Sequence, residues 1–230
     1  MKYFVKSAMA LVLLFAVVLV NIPNTASAQN AGVISAVLNK MESNYKDLKS
    51  LRSAISMEKW DNQIKRSDKV GGWVLYLPAK GRNANFRVDW TTPIKETLSV
   101  VDGQYLLCRY KLNTCYQGKN KDGAKQSGAL SFLNMSTTQL KSSFDFKDAF
   151  NETLWGGINT THFTLYPKTK TNYQYAEVWV DGNGMPIQSK VVEHNGDATT
   201  IRLLNVERNI PLNVDQLKLK IDSSIKVVKT

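Results

Sequence analysis

The chain contains two histidines and two cysteines among its 230 residues. No cluster with metal-ligand spacing can be assembled from so few, so a zinc site has no support. The G-x-S-x-G elbow, the glycine-rich phosphate loop and the H-E-x-x-H helix are also absent. Carboxylates are dispersed along the chain. The one grouping with titratable variety, Glu193-His194 and Asp197, surrounds Asn195-Gly196 and reads as two strand ends at a turn. No catalytic residue, metal or cofactor is therefore expected, and an enzyme is disfavoured. The cysteines, Cys108 and Cys115, lack the C-x-x-C spacing of a redox-active pair. They read as a disulfide that staples a strand–turn–strand in an oxidising compartment. No domain-sized linker or internal repeat divides the chain.

The N-terminus is a different matter. Lys2 and Lys6 precede the apolar run Ala8–Val20, then a polar stretch, then Ala26-Ser27-Ala28. The run is shorter than the ~20 residues of a membrane span, and small residues occupy the −3 and −1 positions. This is the pattern of a secretory signal peptide cut after Ala28. The expected organisation is thus a signal peptide over 1–28 and one exported domain over 29–230, in the periplasm if the host is bacterial. No cysteine lies near the cut, so N-terminal lipidation on cysteine is not expected. The 30 basic and 19 acidic residues give a net charge of +11. Without Lys2 and Lys6 the exported part keeps +9. Such an excess can draw a protein to anionic surfaces such as membrane headgroups, but the lysines are scattered, which favours a plain soluble basic surface, and nucleic acid is not an expected partner of an exported protein.

One long helix is predicted in the exported part. Val33, Ile34, Val37, Leu38, Met41, Tyr45 and Leu48 recur at helical spacing up to Ser50. The remainder reads as strands. Leu51–Lys65 alternates in part. Gly71-Gly72 is expected to break the chain before Trp73–Leu77, which ends at Pro78. Phe86-Arg87-Val88-Asp89-Trp90 alternates strictly and is the clearest half-buried strand. Glu96–Val101 and Tyr105–Tyr110 flank the turn signal Asp102-Gly103, and Asn113–Gln117 follows. Gly118–Gly128 is polar and reads as a loop. Ser136 or Thr137 is placed to cap a short helix through Leu140, and the pattern weakens over Phe144–Phe150. Strands return at His162–Tyr166, Tyr175–Val180, Pro186–Glu193, Thr199–Val206 and Lys218–Ile221. Turns as short as Asp181–Gly184 and Asn195–Asp197 imply an antiparallel meander, a mainly β (α+β) fold.

The apolar residues raise the functional question. Trp73, Leu75 and Leu77 fall on one face of their strand, Phe86, Val88 and Trp90 on one face of theirs. Tyr175 and Trp179 share a face with Glu177 between them. One long helix and one short one cover only part of a sheet of this size. Either the sheet curls until it fills its own core, or an apolar cavity is left for a ligand. The residues leave both open.

The order of these features resembles the LolA family of periplasmic lipoprotein carriers. The resemblance rests on the signal peptide and N-terminal helix, the strand ending at Pro78, Phe86-Arg87-Val88 with Trp90 and Pro93, and the hairpin Leu98-Ser99-Val100-Val101-Asp102-Gly103-Gln104-Tyr105-Leu106. It continues in Leu165-Tyr166-Pro167-Lys168 and in Glu193–Ile201. It implies a curved antiparallel sheet forming an unclosed barrel, covered on its concave side by an N-terminal helix and a short second helix. It implies a monomeric carrier of lipoprotein acyl chains or other lipids. Such a carrier is loaded by an inner-membrane release complex and relieved by an outer-membrane acceptor. Trp73, Leu75, Leu77, Phe86, Val88, Trp90, Leu98, Tyr175 and Trp179 are then the expected cavity lining. The alternative of another class is a lipid-sensing or structural module of the same fold with a self-filled core. One departure stands out: the family arginine that precedes the strand-ending proline and latches the helical lid is Leu77 here.

Overall fold

The computed structural model describes residues 25–78, 84–119, 132 and 135–230. The basic start and apolar run of the expected signal peptide, most of the Gly118–Gly128 loop and most of the apolar stretch after it lie outside the described residues. Helix α1 (Thr25–Asp47) is the first described element. Six strands follow: β1 (Leu51–Asp61), β2 (Arg66–Leu77), β3 (Asn85–Thr92), β4 (Glu96–Val101), β5 (Gln104–Arg109) and β6 (Thr114–Lys119). Helix α2 (Thr137–Ser143) leads to β7 (Phe144–Leu154), β8 (Ile158–Pro167), β9 (Tyr173–Asp181), β10 (Pro186–Glu193) and β11 (Ala198–Arg208), and β12 (Lys226–Lys229) ends the chain.

All twelve strands form one sheet in the order β12-β6-β5-β4-β3-β2-β1-β11-β10-β9-β8-β7. Its two ends, β12 and β7, do not pair, so the barrel is open. Every pairing is antiparallel except β12 on β6. The β1–β11 pairing joins the two halves of the chain into one surface.

Two clusters make the core, and the second also takes in Leu154 and Trp179. Val37, Leu38 and Met41 of α1 and Leu140 of α2 pack on Phe144, Phe163, Leu165, Ala176, Val178 and Val180. The second cluster runs from Leu48 and Leu51 through Ile55, Val74 and Val88 to Ile187, Ile201 and Leu203. Ser136 caps α2: its side chain accepts from the Gln139 amide while the Gln139 side chain accepts from the Ser136 amide, a reciprocal box that satisfies two otherwise orphaned donors. Asp102 and Gly103 both take positive φ, the twist a two-residue hairpin needs.

Three expectations are corrected. Gly71-Gly72 does not break the chain; β2 runs through both, with a register shift there. A Cβ on Gly72 would collide with the Asp89 carbonyl, so glycine lets β3 approach. Phe144–Phe150 is part of a full strand, whose alternation is interrupted by a bulge between Lys147 and Phe150 with Asp148 at φ 55. Lys218–Ile221 is not a strand. Residues 209–225 instead cross the outer face of β1–β5 to reach β6. Leu217 is fully buried in that crossing, and the Ser99 hydroxyl donates to its carbonyl at 2.6 Å. The apolar–polar alternation of Leu217–Ile221 is real, but it serves a strap that lies on a sheet rather than a strand within one.

Candidate functional site

The inner face differs along its length. Under α1 and α2 the sheet presents small and aliphatic side chains: Ala176, Val178 and Val180 are at most 1% exposed, and the helices close on them. Helix α1 is held at several points. Thr137 of α2 donates to the Glu42 carboxylate. That bond, the largest of its causes, holds the Glu42 carboxyl below its ordinary range, with Lys46 adding to it. Asn44 reaches the Met185 sulfur at 3.5 Å. The β9–β10 turn presses on the helix backbone at Gly184, where a Cβ would meet the Lys40 carbonyl. Between α1 and the end of β2 lies a crevice of ≈ 20 Å³ lined by Asn44, Tyr45, Leu48, Tyr76 and Pro186. That is room for about one water. Tyr76 is half-buried there, and its phenol is shifted upward chiefly by desolvation, with the nearby Tyr45 adding to it.

Across β3–β6 the inner face is different. Val88 pairs with Leu98, Leu98 with Leu107, and Leu107 with Tyr116. Directly opposed residues share a face, so these form one apolar row, beside Phe86 and Trp90. Val88 is 1% exposed, whereas Phe86, Trp90, Leu98, Leu107 and Tyr116 are half-buried. Phe86 and Trp90 pack against the second cluster, and among the described residues none of these five belongs to the cluster under the helices.

The sequence-predicted lining therefore divides. Phe86, Val88, Trp90 and Leu98 share the inner face. Trp73, Leu75 and Leu77 do not: Trp73 opposes Asp89, Leu75 opposes Arg87 and Leu77 opposes Asn85. Val74 and Tyr76 take the inner positions instead. Trp73–Leu77 is apolar at nearly every position, so alternation cannot choose a face. On the outer face of this region Leu75 and Leu77 are half-buried, whereas Trp73 is 49% exposed. There Arg87 donates to both Asp89 oxygens at 2.9 Å, and Thr97 donates to Asp89 at 2.9 Å.

Tyr175 and Trp179 also lie on the outer face, with Glu177; the inner residues of β9 are Ala176, Val178 and Val180. The aromatic set faces outward because close helix packing takes the smaller one. Trp179 opposes His162, stacks on its ring at 4.3 Å between centroids, and Phe150 meets the other side edge-on at 4.7 Å. The Trp179 indole donates to Glu152 at 2.7 Å, and Glu152 lies 3.5 Å from His162 Nδ1. Burial holds the His162 imidazole below its ordinary pKa, against the pull of Glu177 and Glu152. Periodicity alone did not reveal this cluster, since the Phe150 strand is bulged. Glu193, His194 and Asp197 are turn hardware: the Glu193 amide donates to the Asp197 carbonyl at 2.8 Å, and Asp197 accepts from the Asn62 amide at 2.8 Å. Cys108 and Cys115 are bonded across β5 and β6 on the outer face.

A family model described as "Outer membrane lipoprotein carrier protein LolA" matches residues 80–220. No curated protein sequence matches the chain. Among solved structures, an uncharacterized conserved protein from Thermus thermophilus superposes with a TM-score of 0.56 at 13% identity, covering 86% of this chain and 99% of that one. MucB in the Pseudomonas aeruginosa MucA/MucB complex superposes with a TM-score of 0.51 at 15% identity, covering 85% of this chain and 63% of the other. At such identities the likeness is one of fold.

Proposed function

The chain belongs to the LolA family of outer membrane lipoprotein carrier proteins, and on that premise we propose that it is a periplasmic carrier, released from its signal peptide after Ala28. It holds the acyl chains of lipoproteins, or of related lipids, on the inner face of β3–β6 and passes them toward the outer membrane. The observation that supports this reading is the half-buried apolar row Phe86, Trp90, Leu98, Leu107 and Tyr116 beside the helix-covered core. The mechanism is non-covalent and needs no catalytic group. Each methylene kept from water is worth about 0.8 kcal/mol, so an apolar groove offsets most of the cost of drawing an acyl chain out of a bilayer. An open groove lets it go again more readily than a closed cavity would. An inner-membrane release complex and an outer-membrane acceptor are the partners of this reading, and the carrier acts as a monomer. The arginine latch of the family does not carry over, because Leu77 replaces it and lies on the outer face.

The test is titration of the exported chain with an apolar fluorescent probe and with a triacylated lipopeptide. About one-to-one binding is expected. Leu98→Glu and Leu107→Glu should weaken it strongly, because a carboxylate placed among apolar side chains loses hydration without a partner. Trp73→Gln, on the outer face, should leave it unchanged. A folded protein that binds neither ligand removes the reading. A second reading is supported by the closed region under α1: a module of the same fold that engages a partner protein in the envelope, as MucB forms a complex with MucA.

A further inference from the structure

Two neighbouring turns at one end of the sheet carry large apolar side chains that stay exposed. The β3–β4 turn holds Ile94 and Lys95, and the β5–β6 turn holds Tyr110, Lys111 and Leu112. Alternate hairpins of an antiparallel meander emerge at the same end, and β4 pairs directly with β5, so the β3–β4 and β5–β6 turns are neighbours. They touch: the Lys95 ammonium lies 5.1 Å from the centre of the Tyr110 ring. Ile94 is 48% exposed and Leu112 58%. Lys226, at the start of β12, joins them, its amide donating to the Asn113 carbonyl at 3.1 Å.

The charge at this rim is lopsided. Among the described residues, Lys95, Lys111 and Lys226 make no ion pair with a carboxylate. Of the nearby acids, Glu96 is taken by Arg109 at 3.5 Å, and Asp222 accepts from the Ser224 amide at 2.9 Å. The apolar side chains sit at projecting tips with lysines beside them. That is the arrangement of a peripheral membrane contact, in which apolar tips enter the headgroup–acyl boundary and ammonium groups meet lipid phosphates. A stable protein partner would need a broader surface, about 800 Å² on each side, than two turns provide.

We infer that the paired β3–β4 and β5–β6 turns dock this protein on an anionic bilayer surface, with Ile94 and Leu112 inserting and Lys95, Lys111 and Lys226 contacting phosphates. The apolar row of the inner face reaches this rim, since Trp90 opposes Glu96 just below the β3–β4 turn. Docking here therefore brings the mouth of the groove to the bilayer. That consequence rests on the carrier reading; the docking itself does not.

The experiment is flotation of the exported chain with phosphatidylglycerol-containing vesicles and with pure phosphatidylcholine vesicles at low salt, with no cargo present. Binding to the anionic vesicles alone is expected. Ile94→Ser/Leu112→Ser and Lys95→Gln/Lys111→Gln should each reduce it about tenfold or more. Lys49→Gln/Lys119→Gln, at the opposite end of the sheet, should change it by less than about twofold. All these side chains are exposed, and circular dichroism verifies that the variants fold. The inference is overturned if the folded protein does not bind anionic vesicles, or if it binds both vesicle types equally. It is overturned equally if the Ile94/Leu112 variant binds as before, or if the Lys49/Lys119 variant loses as much as the Lys95/Lys111 variant. Cargo titration of the same variants separates this result from the carrier reading, because none of the four rim residues belongs to the apolar row.

Discussion

At the scale of single residues, His162 shows how a buried titratable group ties stability to pH. Its ring lies between Phe150 and Trp179, with Glu152, Asp148, Glu177 and Lys190 around it. Burial lowers its pKa in the folded protein, so the unfolded chain takes up a proton at a higher pH than the folded one. Its contribution to stability is therefore complete above the ordinary histidine pKa of about 6.5, and declines as pH falls through that value toward the folded pKa. Urea unfolding at about pH 7.5 and 5.5 should show the wild type losing stability on acidification. His162→Phe, which keeps the ring and removes the proton site, should lose less. An equal loss in both would exclude His162 as the source. Val88 makes a contrasting case. It is too buried to report on ligand binding, because Val88→Glu would compromise folding; the half-buried Leu98 and Leu107 are the informative positions.

At the scale of elements, helix α1 depends on the β9–β10 turn. Gly184 has φ 80 and no room for a Cβ beside Lys40. Gly184→Ala should cost about 1–3 kcal/mol and lower the thermal midpoint, because both the backbone strain and the clash act on the helix. The disulfide belongs to the outer face of β5–β6, away from the apolar row. By loop-closure reasoning for so short a loop, replacing both cysteines with alanine should cost about 2 kcal/mol. Chemical denaturation measures that loss, while probe affinity should stay the same. Most elements are legible from periodicity. Phe86–Trp90 is strictly alternating and takes the expected orientation, and Ser136 caps α2. Legibility fails where local pattern and tertiary role part company: β7 is masked by its bulge, and Leu217–Ile221 alternates like a strand but lies across one.

At the scale of the whole molecule, the sheet is covered by different means on its two halves. Helices cover the inner face of β7–β9, while a strap covers the outer face of β1–β5. Leu217 anchors that strap at full burial, and the Ser50 hydroxyl donates to the Ile210 carbonyl at 2.6 Å where it leaves β11. Truncating the chain before Ile210 removes both the strap and β12. Limited proteolysis of that variant should then cut within β3–β6 and spare β7–β11. Uniform digestion of the two halves would show that the strap does not stabilise the half it crosses.

The sequence by itself determined which segments would be helix and strand wherever one face is apolar and the other polar, because burial on one side imposes period 2 or 3.6 on the chain. It also determined the tight turns at Asp102-Gly103 and Asn195-Gly196, since their backbone geometry restricts the residue types. For the same reason of one-sided burial, Phe86, Val88 and Trp90 could be placed together on one face, while Leu98 is implied there only by the family resemblance. Only the tertiary structure decided the faces of Trp73–Leu77 and of Tyr175 and Trp179. In the first case β2 carries apolar residues on both sides, with Trp73 of the outer side 49% exposed, so no alternation marks the inner face. In the second, helix packing against β9 demands Ala176 and Val178, and the larger aromatic side chains are displaced to the outside.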